Sequence, residues 1–215
     1  MDIIIEILLM VGTVAFAVSG ALVAIDGNLD IFGVCFVGAI TATGGGILRD
    51  FILGIHPPTS FTDWKIPVTA LGVSVLVFII ALILKQKFVK FRRRLEAVNN
   101  VFDAVGLAAA SITGVEVAVS QGHGGNWFII IVSGMVTGIC GGIFRDLLTS
   151  RTPSVLRKHV YALPSILGSA LYYLLRILTS NLMIAAAAAA VLMITLRLLA
   201  TRFRWDLPRV HGEGN

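Results

Sequence analysis

Two copies of a glycine-rich Arg-Asp motif carry the chemistry that this chain could perform. Ala42–Asp50 reads ATGGGILRD, Gly138–Asp146 reads GICGGIFRD, and each copy closes a strongly apolar segment. Each glycine weakens a helix by roughly 1 kcal/mol relative to alanine. A charged residue near the centre of a bilayer costs about 2.5–3.5 kcal/mol. Because this costly combination occurs twice, we expect a functional site where the two copies meet.

The elements that must position these motifs are membrane helices. Hydrophobic residues make up 57% of the chain, charged residues only 13%, and the mean hydropathy is +0.92. Such values are typical of integral membrane proteins. A spanning helix needs about 20 mostly apolar residues, and the first apolar run is too long for a signal-peptide core. Seven spans are predicted, over residues 3–25, 29–48, 66–84, 101–120, 126–144, 160–178 and 182–200.

Further residues repeat together with the motif. In the first half Gly12 precedes Ser19 and Gly20, and in the second half Gly106 precedes Thr113 and Gly114 at the same spacing. The predicted units are a three-helix repeat (1–84), a basic cytoplasmic loop (85–100), a second three-helix repeat (101–180), a seventh helix (181–200) and a tail (201–215). Because three spans invert the second copy, the predicted fold is an all-α integral membrane protein built as an inverted 3+3 repeat plus one helix.

The basic residues indicate the orientation of the chain. The net charge is +5, and its lysines and arginines concentrate between the third and fourth spans and after the fifth and seventh spans. This is the positive-inside pattern, and it predicts an external N-terminus and a cytoplasmic C-terminus. It favours topology over nucleic-acid binding as the reason for the positive charge. A patch that binds anionic lipids is the less usual explanation.

The six motif glycines admit two interpretations. Small residues at every fourth position let helix backbones approach closely, which would make the glycines packing residues. Alternatively they break the second and fifth helices, which are then kinked and expose carbonyl oxygens to a cation. On the second interpretation, carbonyls near Gly44, Gly45, Gly138 and Gly141 would coordinate potassium. The glycines concerned are Gly44, Gly45, Gly46, Gly138, Gly141 and Gly142.

The four motif charges are expected to face the interior of the bundle and to pair there. The carboxylates of Asp50 and Asp146 would add negative potential, while Arg49 and Arg145 would hold them or act as gates. In the alternative interpretation both arginines mark helix ends and extend to the membrane surface.

Other polar residues in the spans are weaker candidates for the same path. Ser19, Thr113 and Glu116 are candidates to line it, although a hydroxyl more often bonds to its own helix. Asp103 is explained by its place near a helix start, and Arg197 by extension to the membrane surface.

The duplicated motif, GGGILRD at 44–50 and CGGIFRD at 140–146, resembles that of the trimeric intracellular cation (TRIC) channels, in particular their prokaryotic members. The 3+3+1 helix plan and the length agree as well. The resemblance implies a homotrimer in a prokaryotic plasma membrane, with a hydrophilic pore inside each subunit that conducts monovalent cations, chiefly potassium. It implies no cofactor other than the permeant potassium or sodium ion, and no soluble substrate. The second copy departs from the first at one position, with Cys140 in place of Gly44.

Two other functions compete with a channel. A secondary transporter of a small zwitterion such as glycine would also suit an inverted repeat with broken helices. A structural or lipid-interacting protein would use the motifs only to brace the bundle. The sequence favours a channel because the motif charges neutralise one another. No phosphate-binding loop, nucleophile elbow or metal-ligand spacing is present in the sequence, so no enzyme is predicted.

Overall fold

A computed structural model describes residues 3–84, 92–157, 161–179, 181–203 and 205, with the side chains of 92–94 and 157 left aside. These residues form nine α-helices. Their bounds are α1 Ile3–Asp26, α2 Ile31–Ile52, α3 Thr59–Thr62, α4 Lys65–Ile83, α5 Arg92–Ala118, α6 Trp127–Leu148, α7 Ser154–Arg157, α8 Ala162–Leu178 and α9 Leu182–Phe203. A short π-helical turn, Val119–His123, extends α5.

Six of these helices are long and apolar enough to cross a membrane: α1, α2, α4, α5 with its extension, α6 and α9. The chain is therefore an all-helical multi-pass membrane protein. The remaining predicted span corresponds to α8, an apolar helix of 17 residues. At 1.5 Å per residue α8 is about 26 Å long, close to the ~30 Å hydrocarbon thickness of a bilayer.

Several predicted boundaries change. Helices α2 and α6 each end four residues later than predicted, at Ile52 and Leu148, so that the Arg-Asp motifs lie inside the helices. Helix α5 begins at Arg92 rather than at residue 101, so residues 92–100 of the predicted basic loop are helical. Arginine, leucine, glutamate and alanine in this stretch are good helix formers, and they continue the helix beyond its apolar part. The rest of that loop, 85–91, lies outside the described residues. Helix α9 continues to Phe203, and most of the predicted tail, namely 204 and 206–215, also lies outside them.

The predicted breaks in the motif helices are wrong. Both α2 and α6, described over their full lengths, are continuous α-helices through their glycines. Nothing in a bilayer replaces a lost backbone hydrogen bond, so tertiary packing keeps the glycines helical against their weak propensity. The carbonyls near Gly44, Gly45, Gly138 and Gly141 therefore belong to the helical hydrogen-bond ladder. Coordination of potassium by uncovered carbonyls requires a break in these helices, and α2 and α6 have none at the glycines.

Helices α1, α2, α5 and α6 form the centre of the bundle. Helix α1 packs on α5, α2 packs on α6, and both pairs contact each other through α1 with α2 and α5 with α6. Helix α4 lies against α1 and α2, whereas α8 and α9 pack on each other, with α5 beside both and α6 beside α8. The two motifs therefore lie in two of the four central helices, α2 and α6.

Candidate functional site

The two motif helices touch at reciprocal glycines. A β-carbon added to Gly45 would overlap the backbone carbonyl oxygen of Thr137, and one added to Gly141 would overlap that of Thr41. Gly45 and Gly141 hold the same place in the two motifs, as do Thr41 and Thr137 in the residues before them. The packing interpretation of these two glycines therefore has a direct geometric basis: only glycine permits this backbone approach.

The other motif glycines meet different neighbours. The ring of Phe144 packs over Gly44, and the hydroxyl of Ser111 lies where a side chain of Gly138 would stand. A β-carbon on Gly142 would come 2.8 Å from the Tyr161 hydroxyl. At Gly46, in contrast, a β-carbon would find no described atom closer than 3.7 Å. Close packing thus accounts for five of the six glycines, and Gly46 is open.

The first Arg–Asp cluster, formed by Arg49, Asp50 and Thr59, ties the end of α2 to the following loop. Arg49 donates to Asp50 Oδ1 from Nε at 2.8 Å and from Nη2 at 2.6 Å. Asp50 Oδ2 accepts the Thr59 backbone N–H at 2.7 Å and its hydroxyl at 2.5 Å. Both carboxylate oxygens are thus engaged, and Asp50 is fully buried.

The second Arg–Asp cluster is built in the same way and then extended. Arg145 Nε donates to Asp146 Oδ1 at 2.9 Å, and Asp146 Oδ2 accepts the backbone N–H of Ser154 at 2.7 Å. Arg145 Nη1 also reaches other helices, donating to Ser19 Oγ at 2.6 Å and to Asp103 Oδ1 at 2.7 Å. This cluster therefore links α1, α5 and α6.

Asp103 draws two further residues into the second cluster. Tyr161 donates its hydroxyl to Asp103 Oδ1 at 3.1 Å, and Arg197 Nη2 approaches Asp103 Oδ2 at 3.4 Å. The Arg197 guanidinium also lies 4.2 Å from the centre of the Tyr161 ring. The placements predicted for Asp103, near a helix start, and Arg197, at the membrane surface, are both wrong. Each is at most 5% exposed, because the two charges pair with each other inside the bundle.

Both clusters are electrically balanced. The first pairs Arg49 with Asp50, and the second pairs two arginines with two aspartates. Arg49 and Arg145 are 4% and 3% exposed, so extension of these arginines to the membrane surface is wrong. A buried charge is tolerated only when it is paired and hydrogen-bonded, which both clusters achieve.

A cavity of about 360 Å³ lies inside the chain between α1, α2, α5 and α6. Its wall carries the side chain of Arg49 and six threonines: Thr59 and Thr62 of α3, and one from each of the four central helices, namely Thr13, Thr43, Thr113 and Thr137. Its mouth is formed by exposed or partly exposed residues, Glu6, Asp63 and Lys65. The volume is large enough for several water molecules.

Phe16 is the last residue of α1 that lines the cavity, and its ring packs against Gly106 of α5. One turn further along α1 lies Ser19, which accepts from Arg145 and donates to Asn99 at 2.8 Å. The second cluster therefore begins about one helical turn beyond the last α1 residue of the cavity wall.

The predicted pore residues, apart from the five packed glycines, separate into four groups. Gly46, Arg49 and Thr113 line the cavity. Ser19, Arg145 and Asp146 belong to the second cluster, whereas Asp50 bonds to the loop behind Arg49. Glu116 lies apart from both, where its Oε1 accepts Tyr172 at 2.7 Å and Arg176 at 2.5 Å.

Sequence reasoning missed the roles of Asp103, Arg197 and Tyr161. The available signal was charge: Asp103 and Arg197 are isolated opposite charges in apolar spans, and each needs a partner. Among the described residues there is no group of His, Cys, Asp or Glu side chains able to hold a metal ion.

Comparison with known proteins gives a consistent result. A family model described as "Glycine transporter" matches residues 6–81 and 100–177. The UPF0126 membrane protein YvgT of Bacillus subtilis is 38% identical over 163 residues, which cover 76% of each chain. The UPF0126 inner membrane protein YadS of Escherichia coli K12 is 34% identical over 202 residues, covering 92% of this chain and 91% of YadS.

Solved structures of high similarity include the TRIC orthologue from Rhodobacter sphaeroides, with a TM-score of 0.84, 32% identity, and coverage of 94% of this chain and 99% of that one. The chain belongs to the prokaryotic TRIC family. A prokaryotic TRIC channel crystallised in 0.5 M KCl matches equally well, with a TM-score of 0.83, 31% identity, and coverage of 96% of this chain and 100% of that one. The predicted TRIC resemblance is thereby confirmed over nearly the whole chain.

Proposed function

We propose that this TRIC family member is a cation channel whose pathway runs inside the single chain through the cavity between α1, α2, α5 and α6. The observation that supports it most strongly is the cavity itself, a space inside an apolar bundle whose mainly apolar wall carries Arg49, threonine hydroxyls and, at the mouth, three charged side chains. Membrane-embedded polar surface of this kind is costly unless it faces water or an ion. Similarity to solved proteins whose names include "cation channel" supports the same conclusion.

One face of α1 traces the pathway. Glu6 lies at the mouth, Leu9 and Thr13 line the wall, Phe16 lies at the closed end, and Ser19 belongs to the second cluster. These residues are three or four positions apart, so they share one helical face. From Glu6 to Ser19 the helix rises by about 20 Å, which is most of the hydrocarbon thickness.

The proposal treats the structure as a closed state. Phe16 blocks the end of the cavity against Gly106, and the hydrogen-bonded second cluster fills the space beyond it. Conduction then requires the Phe16 ring to move and the bonds from Arg145 to Ser19 and Asp103 to rearrange. We propose that the second cluster is the inner gate. The first cluster holds the side chain of Arg49 in place in the wall of the cavity.

The permeant ion, the assembly and the orientation in the membrane are also part of the proposed function. We propose potassium as the main permeant ion and a homotrimer as the assembly, in line with the trimeric channels that this chain resembles. The reciprocal contacts Gly45–Thr137 and Gly141–Thr41 support an inverted 3+3 repeat. The positive-inside distribution supports an external N-terminus and a cytoplasmic C-terminus, and it would allow contact with anionic lipids. The protein would conduct ions and catalyse no reaction.

Single-channel recording tests this function. Purified protein in a planar bilayer, with a potassium chloride gradient, should give discrete currents that reverse near the potassium equilibrium potential. Currents that reverse near the chloride potential would contradict cation selectivity. Recordings with empty detergent-treated vesicles provide the control.

The rival function is transport of a small zwitterion, because the matching family model is described as a glycine transporter. The cavity wall offers it a guanidinium on Arg49 and carboxylates at the mouth on Glu6 and Asp63. Counterflow of labelled glycine in liposomes separates the two functions. Saturable counterflow without discrete currents would replace the channel by a transporter.

A further inference from the structure

We propose that the four cavity threonines of the central helices α1, α2, α5 and α6 form a monovalent cation site, in which their hydroxyl oxygens face the ion and accept from no donor in the described part of the chain. The inference rests on the proposed channel function and specifies where a permeant cation pauses. The threonines come from four different helices: Thr13 from α1, Thr43 from α2, Thr113 from α5 and Thr137 from α6.

Each threonine donates its only hydroxyl hydrogen to a backbone carbonyl of its own helix. The acceptors are backbone carbonyls, which have no hydrogen to donate, so the direction of every bond is fixed. The bonds are Thr13 to Leu9 at 2.8 Å, Thr43 to Ala39 at 2.8 Å, Thr113 to Ala110 at 3.0 Å and Thr137 to Ser133 at 2.6 Å. Such side-chain bonds to the preceding helical turn are common for threonine.

The consequence is a cavity wall that accepts but does not donate. A hydroxyl has one hydrogen and two lone pairs, and here the hydrogen is committed in every case. The four residues are at most 7% exposed and all line the cavity, and we infer that their free lone pairs are directed into it. A cation that has shed part of its hydration shell finds oxygen dipoles there, as in other ion pathways.

The same wall is unfavourable for an anion. Between the threonines lie Phe16, Ala42 and Ala110, whose side chains offer no N–H or O–H. Arg49 also lines the wall, but its Nε and Nη2 both donate to Asp50, which balances its charge. An anion at the four threonine hydroxyls would therefore lose water without gaining a donor from them, which is costly in a buried site.

The first test measures cation binding without conduction. Purified protein in detergent should unfold at a higher temperature in potassium chloride than in choline chloride, because an ion that binds only the folded state stabilises it. Removing two oxygens in the double variant Thr13→Val, Thr113→Val should weaken the apparent potassium affinity by about threefold to tenfold per oxygen, the scale of a lost polar contact.

Two matched variants distinguish loss of the cation site from a general effect of the substitutions on stability. Thr41→Val removes a hydroxyl that also bonds its own helix, at 2.6 Å to Val37, but Thr41 does not line the cavity and its variant should retain the potassium effect. Thr13→Ser, Thr113→Ser retains both oxygens and should bind potassium as the unaltered protein does. Equal loss in Thr41→Val, or full potassium stabilisation in the valine pair, would overturn the site.

Recording separates failure of the site from failure of the channel. If the unaltered protein conducts, the valine pair should raise the potassium concentration at half-maximal conductance by the same factor as in the binding test. Unchanged conductance in that variant would overturn the site and leave the channel intact. Potassium stabilisation that depends on the threonines, in a protein without currents, would support the site and contradict the channel.

Discussion

Replacing Gly45 by alanine tests whether the motif glycines serve close packing or flexibility. The added β-carbon of Gly45→Ala would lie far inside the van der Waals contact distance of the carbonyl oxygen of Thr137, a severe overlap. That oxygen belongs to the backbone of α6 and cannot rotate away, so the two central helices must separate. Gly46→Ala is the matched control, because the neighbouring position leaves its added β-carbon free of described contacts below 3.7 Å.

The expected magnitudes have opposite signs at the two positions. Alanine gains roughly 1 kcal/mol over glycine in a helix interior, and at Gly46 nothing opposes this gain. At Gly45 overpacking costs about 1–3 kcal/mol, and a rigid backbone neighbour places the cost at the upper end. We therefore expect Gly45→Ala to be destabilised by about 2 kcal/mol and Gly46→Ala to be at least as stable as the unaltered protein.

The assay is the midpoint temperature at which detergent-purified protein loses its monodisperse elution peak. Gly141→Ala, whose β-carbon would overlap the Thr41 carbonyl oxygen, should behave like Gly45→Ala. If Gly45→Ala were as stable as Gly46→Ala but lost its currents, flexibility rather than packing would explain the motif. The reciprocal contacts Gly45–Thr137 and Gly141–Thr41 would then not explain why the motif contains glycines.

Three further predictions concern the clusters and the closed end of the cavity. Asp103→Asn leaves two buried arginines short of charge and should lower the free energy of unfolding by about 3–5 kcal/mol. Asp26→Asn, which breaks the partly exposed ion pair of Asp26 with Arg151, should cost less than about 1 kcal/mol, and equal midpoints of thermal unfolding for the two variants would contradict this. Asp50→Asn should speed hydrogen–deuterium exchange at the Thr59 amide, which it binds, and unchanged exchange would show that the carboxylate does not hold the loop. Phe16→Ala should raise the open probability in single-channel records, because the ring closes the cavity, and an unchanged open probability would exclude it as a barrier.

The sequence was sufficient to predict an all-helical multi-pass membrane protein because bilayer thickness and apolar content leave few choices. A run of 20 apolar residues with no breaker has to be a helix in lipid, and the charged motifs marked the two central helices. The start of α5 was missed for a related reason: residues 92–100 are polar, so hydropathy assigns them to a loop, whereas helix propensity continues through them.

The predicted helix breaks failed because propensity was given too much weight. Glycine weakens an isolated helix, yet Gly45 and Gly141 lie against a neighbouring backbone. The close packing of α2 on α6 at these two positions stabilises the helices by more than the low propensity of glycine destabilises them. The sequence alone does not show which helix a glycine faces, so packing and breakage could not be distinguished from it.

The second cluster could not be assembled from the sequence because its members lie far apart in the chain. Ser19, Asp103, Arg145 and Arg197 come from four different helices. Each charge alone has an ordinary explanation at a helix end. Only the three-dimensional arrangement shows that they neutralise one another at the closed end of the cavity.

Charged thiol reagents applied during recording test most directly whether ions pass through the cavity. In a background with Cys35 and Cys140 replaced, Leu9→Cys places a thiol on the cavity wall, whereas Ile7→Cys places one on the outer face of the same helix, where Ile7 is 56% exposed. A positively charged methanethiosulfonate should reduce potassium current through Leu9→Cys channels and leave Ile7→Cys channels unchanged. Undiminished current through fully modified Leu9→Cys channels would contradict a pathway inside the subunit.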